Sequence, residues 1–247
     1  EAMDRVALML PNRPETVLAY LACFKAALVV APIDFRHRAV QTDYSINHSG
    51  ARALIVHEDR LPELRSEGVL SRVERVIVVA ADDGDRGHHR FQDVIQSTPS
   101  APLPRSFEMD DLCMMIYTSG TTARPKGVTY TRFAIEDGIR KYLARVVISS
   151  DDVGLIAAPI TRPMALRSQL LPLLRAGGCA SLIESFHVDN YVDALQRPPA
   201  KTFLALLPAA LGQVLHHPDV DKCDFSRLRL CLVGGDRTPA GLHEEFE

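Results

Sequence analysis

Short, wholly apolar runs rich in β-branched residues alternate with segments of helical periodicity along this chain, and that alternation most constrains its fold. Residues 6–10, 28–33, 53–56 and 76–80 read as strands in the first part of the chain. Residues 112–117, 153–157, 179–183, 202–206 and 228–233 read the same way in the second. Between them lie helical patterns. One begins near Pro14-Glu15, with Asn12 as a side-chain cap and Val17, Leu18, Leu21 and Phe24 on one face. Others span residues 40–49 (stopped by Gly50), 61–70 and 133–147. A strand that is apolar at every position is buried on both faces, so helices must cover both sides of its sheet. The expectation is an α/β fold: sheets of largely parallel strands with helices on both faces.

Residues 82–90 are polar and residues 97–105 carry three prolines, which reads as a loop and an extended connection. We therefore expect a first α/β subdomain over 1–98 and a second over 99–247. Hydrophobic residues make up 47% of the chain and charged residues 24%, enough for a core and against disorder. The net charge of −3 shows no basic stripe and argues against a nucleic-acid partner. The apolar stretch over residues 17–33 is interrupted by Lys25 and is barely long enough to cross a bilayer, so no stable membrane span is expected. The five cysteines include no Cys-x-x-Cys pair. Cys23, Cys113, Cys179 and Cys231 lie in apolar runs, as small hydrophobes of a reducing cytoplasm would. His216-His217 with Asp219 and Asp221 fits no standard ligand spacing, and His88-His89 reads as solvated loop, so no protein metal site is assigned. A Gly-x-Ser-x-Gly elbow does not occur.

One segment carries chemistry. Ile116-Tyr-Thr-Ser-Gly-Thr-Thr-Ala-Arg-Pro-Lys-Gly127 places four hydroxyls, two glycines and a lysine in a polar loop over residues 118–127, directly after a buried strand. Hydroxyl donors, exposed backbone N–H groups and an ammonium together suit a polyphosphate. It is not a Walker A loop, because Pro125 precedes Lys126 and Gly127 follows it. Pro125 has no N–H to donate and stiffens the chain just where the lysine must be aimed.

Thr118, Ser119, Gly120, Thr121, Thr122, Pro125, Lys126 and Gly127 together resemble the phosphate-binding signature of the adenylate-forming (AMP-binding) superfamily, which includes acyl-CoA synthetases, peptide-synthetase adenylation domains and firefly luciferase. The resemblance extends to nearly the whole chain. Asp4-Arg-Val-Ala-Leu-Met-Leu-Pro-Asn12 is similar to the opening of the family's large domain, and Asp110-Asp-Leu112 leads into the signature strand. Leu228-Arg-Leu-Cys-Leu-Val-Gly-Gly-Asp-Arg237 is similar to the strand and glycine-rich turn beside the adenine.

The resemblance implies activation of a small-molecule carboxylic acid by ATP to an acyl-adenylate, followed by transfer to a thiol acceptor such as coenzyme A, with Mg²⁺ as charge partner. It implies that Thr118, Ser119, Gly120, Thr121, Thr122 and Lys126 hold phosphates. Gly234, Gly235, Asp236 and Arg237 would flank the adenine, and residues 204–208 with the Arg162 region would line the acyl pocket. Lys126, Thr122 and Arg162 are the residues expected to act on the reacting groups. An acyl-CoA synthetase is the leading reading; a peptide-synthetase adenylation domain and a non-catalytic nucleotide-binding module are the alternatives.

Three departures stand out. Ala123 replaces the usual Gly or Ser after the paired threonines, Val128-Thr-Tyr-Thr-Arg132 lacks a histidine, and Thr161 and Arg162 stand where an aromatic residue and a histidine are common. An obligate cation at Arg162 is expected to contact an acidic group of the substrate or the nascent acyl-phosphate. The chain begins at Glu1 and stops at Glu247 in a helical pattern. The family's Tyr-Gly-x-Thr-Glu segment, its ribose-binding Asp and its small C-terminal domain with a catalytic lysine are not among these residues. The expectation is a truncated large domain that by itself binds nucleotide weakly and does not turn over.

Overall fold

The computed structural model describes residues 3–80, 88–97, 108–118 and 124–246. Within them the apolar runs become strands β1 (Arg5–Met9), β2 (Val29–Pro32), β3 (Ala51–His57) and β4 (Arg75–Val79), with helices α1 (Pro14–Lys25), α2 (Ala39–Ser49) and α3 (Leu61–Ser66) between them. A two-residue strand β5 (His89–Arg90) and helix α4 (Phe91–Ser97) follow, then β6 (Leu112–Thr118), β7 (Lys126–Thr131) and α5 (Arg132–Leu143). The seven strands form one sheet in the order β5-β4-β3-β1-β2-β6-β7, parallel except for the β6–β7 hairpin.

The order explains why both faces are covered. The chain moves from β1 to β2 in one direction, then returns past β1 to reach β3 and β4. Right-handed crossovers therefore place α1 on one face and α2 and α3 on the other. The second face holds a core of Ala7, Met9, Leu54, Val56 and Val78 from the strands against Ile46 of α2 and Leu64 of α3. The parallel α/β expectation holds.

Four local expectations are corrected. The α1 N-cap is Arg13, in extended backbone and without a side-chain cap bond, while Asn12 is buried ahead of it. The buried face of α1 is Thr16, Ala19, Tyr20 and Cys23, whereas Leu18 and Leu21 are 49% and 42% exposed. Both stripes have helical spacing, and only the angle at which α1 meets the sheet chooses between them. The helix expected over 61–70 stops at Ser66, because Gly68 turns the chain at φ +71° into a 3-10 turn over Val69–Arg72. The polar loop over 118–127 is shorter than expected, since Lys126–Thr131 forms a strand whose alternating Val128-Thr-Tyr-Thr is a β-pattern in its own right.

The chain divides into two compact units, Glu1–Glu136 and Asp137–Glu247. The division falls inside α5, whereas the expected boundary at 98/99 lies within the first unit. The reason is pairing: β6 lies alongside β2 with Val30 opposite Met114, so the signature strand completes the first sheet. The proline-rich stretch chosen as the boundary, like most of residues 82–90, lies outside the described residues.

The second unit has its own parallel sheet in the order β11-β10-β8-β9, formed by β8 (Val153–Ile156), β9 (Cys179–Leu182), β10 (Phe203–Leu206) and β11 (Leu230–Val233). Its helices are α6 (Pro163–Ala165), α7 (Leu171–Ala176), α8 (Val188–Gln196), α9 (Pro208–Leu215) and α10 (Ala240–Phe246), with a π-helical stretch over Leu166–Leu170. Leu155, Leu204 and Leu206 of the sheet pack on Tyr191 and Leu195 of α8 and Leu211 of α9. At the start of β8, buried Asp152 accepts hydrogen bonds from Thr202 Oγ1 at 2.6 Å, Ser149 N at 2.7 Å and both Arg229 Nε and NH2.

All five cysteines are free. Cys23 and Cys113 are buried as expected, but Cys179 is exposed. It starts β9, an edge strand, where an apolar run loses its cover. No described helix is long and apolar enough to cross a membrane.

Candidate functional site

The signature segment is a hairpin of the first unit. In the β6–β7 register, Tyr117 faces Gly127 and Thr118 faces Lys126. Directly opposed residues of an antiparallel pair project to the same face, and neighbours project to opposite faces. Thr118 and Lys126 therefore stand together on one face at the mouth of the hairpin, and both are exposed. Arg124 is exposed beside them, and among the described residues no ion pair neutralises Lys126. Ser119, Gly120, Thr121, Thr122 and Ala123 lie outside the described residues. What remains is a hydroxyl and a cation held side by side by strand register, the chemistry an anionic group requires.

Gly127 is explained by the opposite face. A Cβ there would come within 2.9 Å of Met115 Sδ and 3.5 Å of Tyr117 Cε1. Glycine at this position lets β7 approach the two side chains that β6 projects toward it. Behind the hairpin, Tyr44 Oη donates to the Pro125 carbonyl at 2.9 Å, and Tyr117 Oη lies 2.9 Å from His48 Nδ1 and 3.2 Å from the Ser45 carbonyl. Burial pushes the Tyr117 phenol up to about 12, so its hydroxyl stays protonated at neutral pH.

The glycine-rich turn belongs to the second unit. It leaves β11 through Gly234, whose N–H donates to the Leu206 carbonyl at 3.2 Å. A Cβ on Gly234 would meet nothing within 4 Å, so the backbone here borders open space. Gly235 adopts φ +87°, and a Cβ there would lie 2.8 Å from Leu207 Cδ2. Both glycines fit a turn that a flat ring approaches closely. Asp236 and Arg237 are exposed, and Asp236 Oδ1 accepts from the Arg237 N–H at 2.7 Å.

Beside this turn the second unit opens a groove of about 510 Å³. Gly234 and Gly235 form one side, Pro163 and Met164 another, and Gly138 and Tyr142 of α5 a third. The volume falls in the range of small-molecule sites. Tyr142 is anchored by its hydroxyl, which donates to the Ser168 carbonyl at 2.8 Å, and burial pushes that phenol up to about 12.

Two expected contributors are placed differently from the sequence reading. Of residues 204–208, only Ala205 lines the groove, because strand alternation turns Leu204 and Leu206 into the core under α8 and α9. Arg162 caps the short helix that carries Pro163 and Met164, but it is not itself on the groove wall. The cation on the wall is Arg167. It sits in the π-helical stretch, and its guanidinium comes within 3.0 Å of where a Gly138 Cβ would be. Sequence alone did not single it out, although a cation inside the apolar run Met164-Ala-Leu-Arg-Ser-Gln-Leu was the available signal. Thr161 Oγ1 is buried without a partner among the described residues, next to Arg162.

The paired histidines serve local structure. His216 Nδ1 lies 2.7 Å from the Gly212 carbonyl, and His217 bridges Asp189 Oδ1 at 3.0 Å and the Asp219 N–H at 3.1 Å. Among the described residues no group of three or more His, Cys, Asp or Glu side chains is placed to hold a metal ion.

Comparison with known proteins gives the family. The chain is 31% identical over 246 residues to a feruloyl-CoA synthase of Amycolatopsis sp, covering 98% of this chain and 46% of that protein. It is 28% identical to 4-coumarate–CoA ligase 1 of Arabidopsis thaliana, covering 99% of this chain and 44% of that one. It thus spans about half the length of these curated relatives. Among solved structures, an anthranilate CoA ligase, AuaEII, in complex with anthranoyl-AMP shares the fold over 100% of this chain and 48% of its own, with a TM-score of 0.93 at 22% identity. The model of the AMP-binding enzyme family matches residues 1–247. The chain belongs to the AMP-binding enzymes of the adenylate-forming superfamily.

Proposed function

We propose that the whole protein activates a carboxylic acid with ATP to an acyl-adenylate and transfers the acyl group to coenzyme A. The observation that carries this reading is the hairpin register that sets Thr118 and Lys126 side by side at an exposed, uncompensated cationic mouth. A carboxylate is repelled by a triphosphate, so its attack on the α-phosphorus needs fixed cations and oriented donors around the leaving pyrophosphate. Lys126, Thr118 and the hydroxyls of Ser119, Thr121 and Thr122 are assigned to the phosphates, with Gly120 allowing close approach of the backbone. Gly234, Gly235, Asp236 and Arg237 are assigned to the adenine. Mg²⁺ is the implied charge partner of the triphosphate, and coenzyme A is the implied acceptor. At the phosphates, the positive charge assigned to this chain is that of Lys126.

The acyl group is assigned to the apolar groove beside Gly234, whose volume is that of a site for a small molecule. The acids in the names of the relatives, ferulate and 4-coumarate, support that size class. Arg162 and Arg167 are the cations nearest that chemistry by sequence and by geometry respectively.

The test is acid-dependent ATP–pyrophosphate exchange by the whole protein across aryl and alkyl carboxylic acids. Lys126→Gln is expected to raise the KM for ATP at least about tenfold, the loss of one charged phosphate contact. Nucleotide binding with no exchange for any acid would sink the ligase reading and favour a nucleotide-binding module.

A further inference from the structure

The three aromatic side chains behind the signature hairpin form a closed cluster that the assigned chemistry does not use. Tyr44 and His48 lie one turn apart on α2 and stack with ring centroids 5.4 Å apart and planes 28° apart. Tyr117 meets both edge-on, at 6.4 Å from Tyr44 and 5.6 Å from His48. The hydroxyls then tie this cluster to two backbone points. Tyr44 Oη donates to the carbonyl of Pro125, and Tyr117 bonds back to α2 through Ser45 O and His48 Nδ1. Tyr117 has one phenolic proton to give, and which partner donates in the Tyr117–His48 contact follows the tautomer of the His48 ring.

Position makes this more than packing. Tyr117 immediately precedes Thr118, and Pro125 immediately precedes Lys126. The cluster therefore grips both sides of the hairpin one residue away from the cross-strand pair, on the face opposite to it. Among the described residues β7 is an edge strand with β6 as its one neighbouring strand, so the Tyr44–Pro125 bond is a second tie for the residue that delivers Lys126. Burial differs across the cluster: Tyr117 is 8% exposed, Tyr44 is half-buried and His48 is exposed. Water competes least for the buried bond from Tyr117 to the Ser45 carbonyl.

We propose that Tyr44 and Tyr117, with His48 stacked against them, are positioning residues that hold both feet of the phosphate-binding hairpin on α2 and so fix where the Thr118–Lys126 pair stands. This rests on the assignment of that pair to the phosphates of ATP. Geometric tolerance for bound reactants is tight, so a loosened pair weakens nucleotide binding before it affects the acid.

The test uses Tyr44→Phe and Tyr117→Phe in the whole protein, which keep the rings and remove only the hydroxyls. Each is expected to raise the KM for ATP about three- to tenfold, with the KM for the acid and Tm nearly unchanged. Amide hydrogen exchange over residues 118–127 of the ligand-free protein is expected to speed up in both variants. An unchanged KM for ATP with unchanged exchange over 118–127 would overturn the proposal, as would a drop in Tm with both readouts unmoved. If the parent protein shows no acid-dependent pyrophosphate exchange, the ligase reading falls separately. Amide exchange in the hairpin then decides the brace by itself.

Discussion

Removing the charge of Asp152 is the sharpest test of how the second unit is held together. Its carboxylate is 2% exposed and accepts from Thr202, Ser149 and both nitrogens of an Arg229 fork. Burial alone would raise its pKa, but the bonds from Arg229 and Thr202 outweigh burial and hold it down at about 2, against 3.8 for an ordinary carboxyl. At about 1.4 kcal/mol per tenfold, that depression corresponds to about 2 kcal/mol of folding stability. Arg229 is 41% exposed and rehydrates when its partner is lost, so the cost stays below the 3–5 kcal/mol typical of breaking a fully buried pair. The sign follows from the depressed pKa. The contribution is complete above pH 4 and falls away as pH drops toward 2, with about half left at pH 3. Asp152→Asn, followed by urea unfolding with circular dichroism at pH 7, 5 and 3, should lose about 2 kcal/mol at pH 7 and 5. The gap to the parent should shrink to about half at pH 3. A gap that is independent of pH, or absent at pH 7, refutes the reasoning.

Other expectations are simpler to check. Gly235→Ala forces an L-residue into φ +87° and drives Leu207 Cδ2 aside, so unfolding should show a loss of about 1–2 kcal/mol. ATP affinity should fall in the same variant if this turn flanks the nucleotide. A thiol reagent applied to the native protein at pH 8 should modify exposed Cys179 first. Cys113 and Cys23, whose thiols burial pushes up to about 11 and about 12, should be spared until unfolding, which peptide mapping resolves. Early modification of Cys23 would contradict the packing of α1.

Much of the first unit was legible because its central strands are built on unbroken apolar runs. A run such as Val29-Val-Ala-Pro32 has no polar face to turn outward, so it must lie inside a covered sheet. Gly50 and Gly177 end their helices in left-handed conformations, as C-terminal glycines do. The face of α1 was not legible, because Val17-Leu-Ala-Tyr-Leu-Ala-Cys-Phe is apolar all the way round. The compact units divide elsewhere than at the prolines for a related reason. Prolines mark where a chain is stiff, whereas the unit is decided by which sheet β6 joins.

The candidate site divides the same way. The hydroxyl-rich string ending in Lys126-Gly127 pointed to the family by its residue order, whereas donors and a cation in a row also suit an ordinary polar turn. What it cannot contain is the register that puts Thr118 across from Lys126. Nor can it contain the approach of Tyr44, distant in sequence, to Pro125. Arg167 shows the limit from the other side: it is one cation among many in the string, and a groove wall only once the π-helical stretch turns it toward Gly138. By itself the sequence determined the covered parallel sheets and, through its motif string, the family, because hydrophobic patterning and motif order are written along the chain. Only the tertiary structure decided which side chains stand together and which pack behind them. Those are distances between segments far apart in the chain, set by how helices and strands pack.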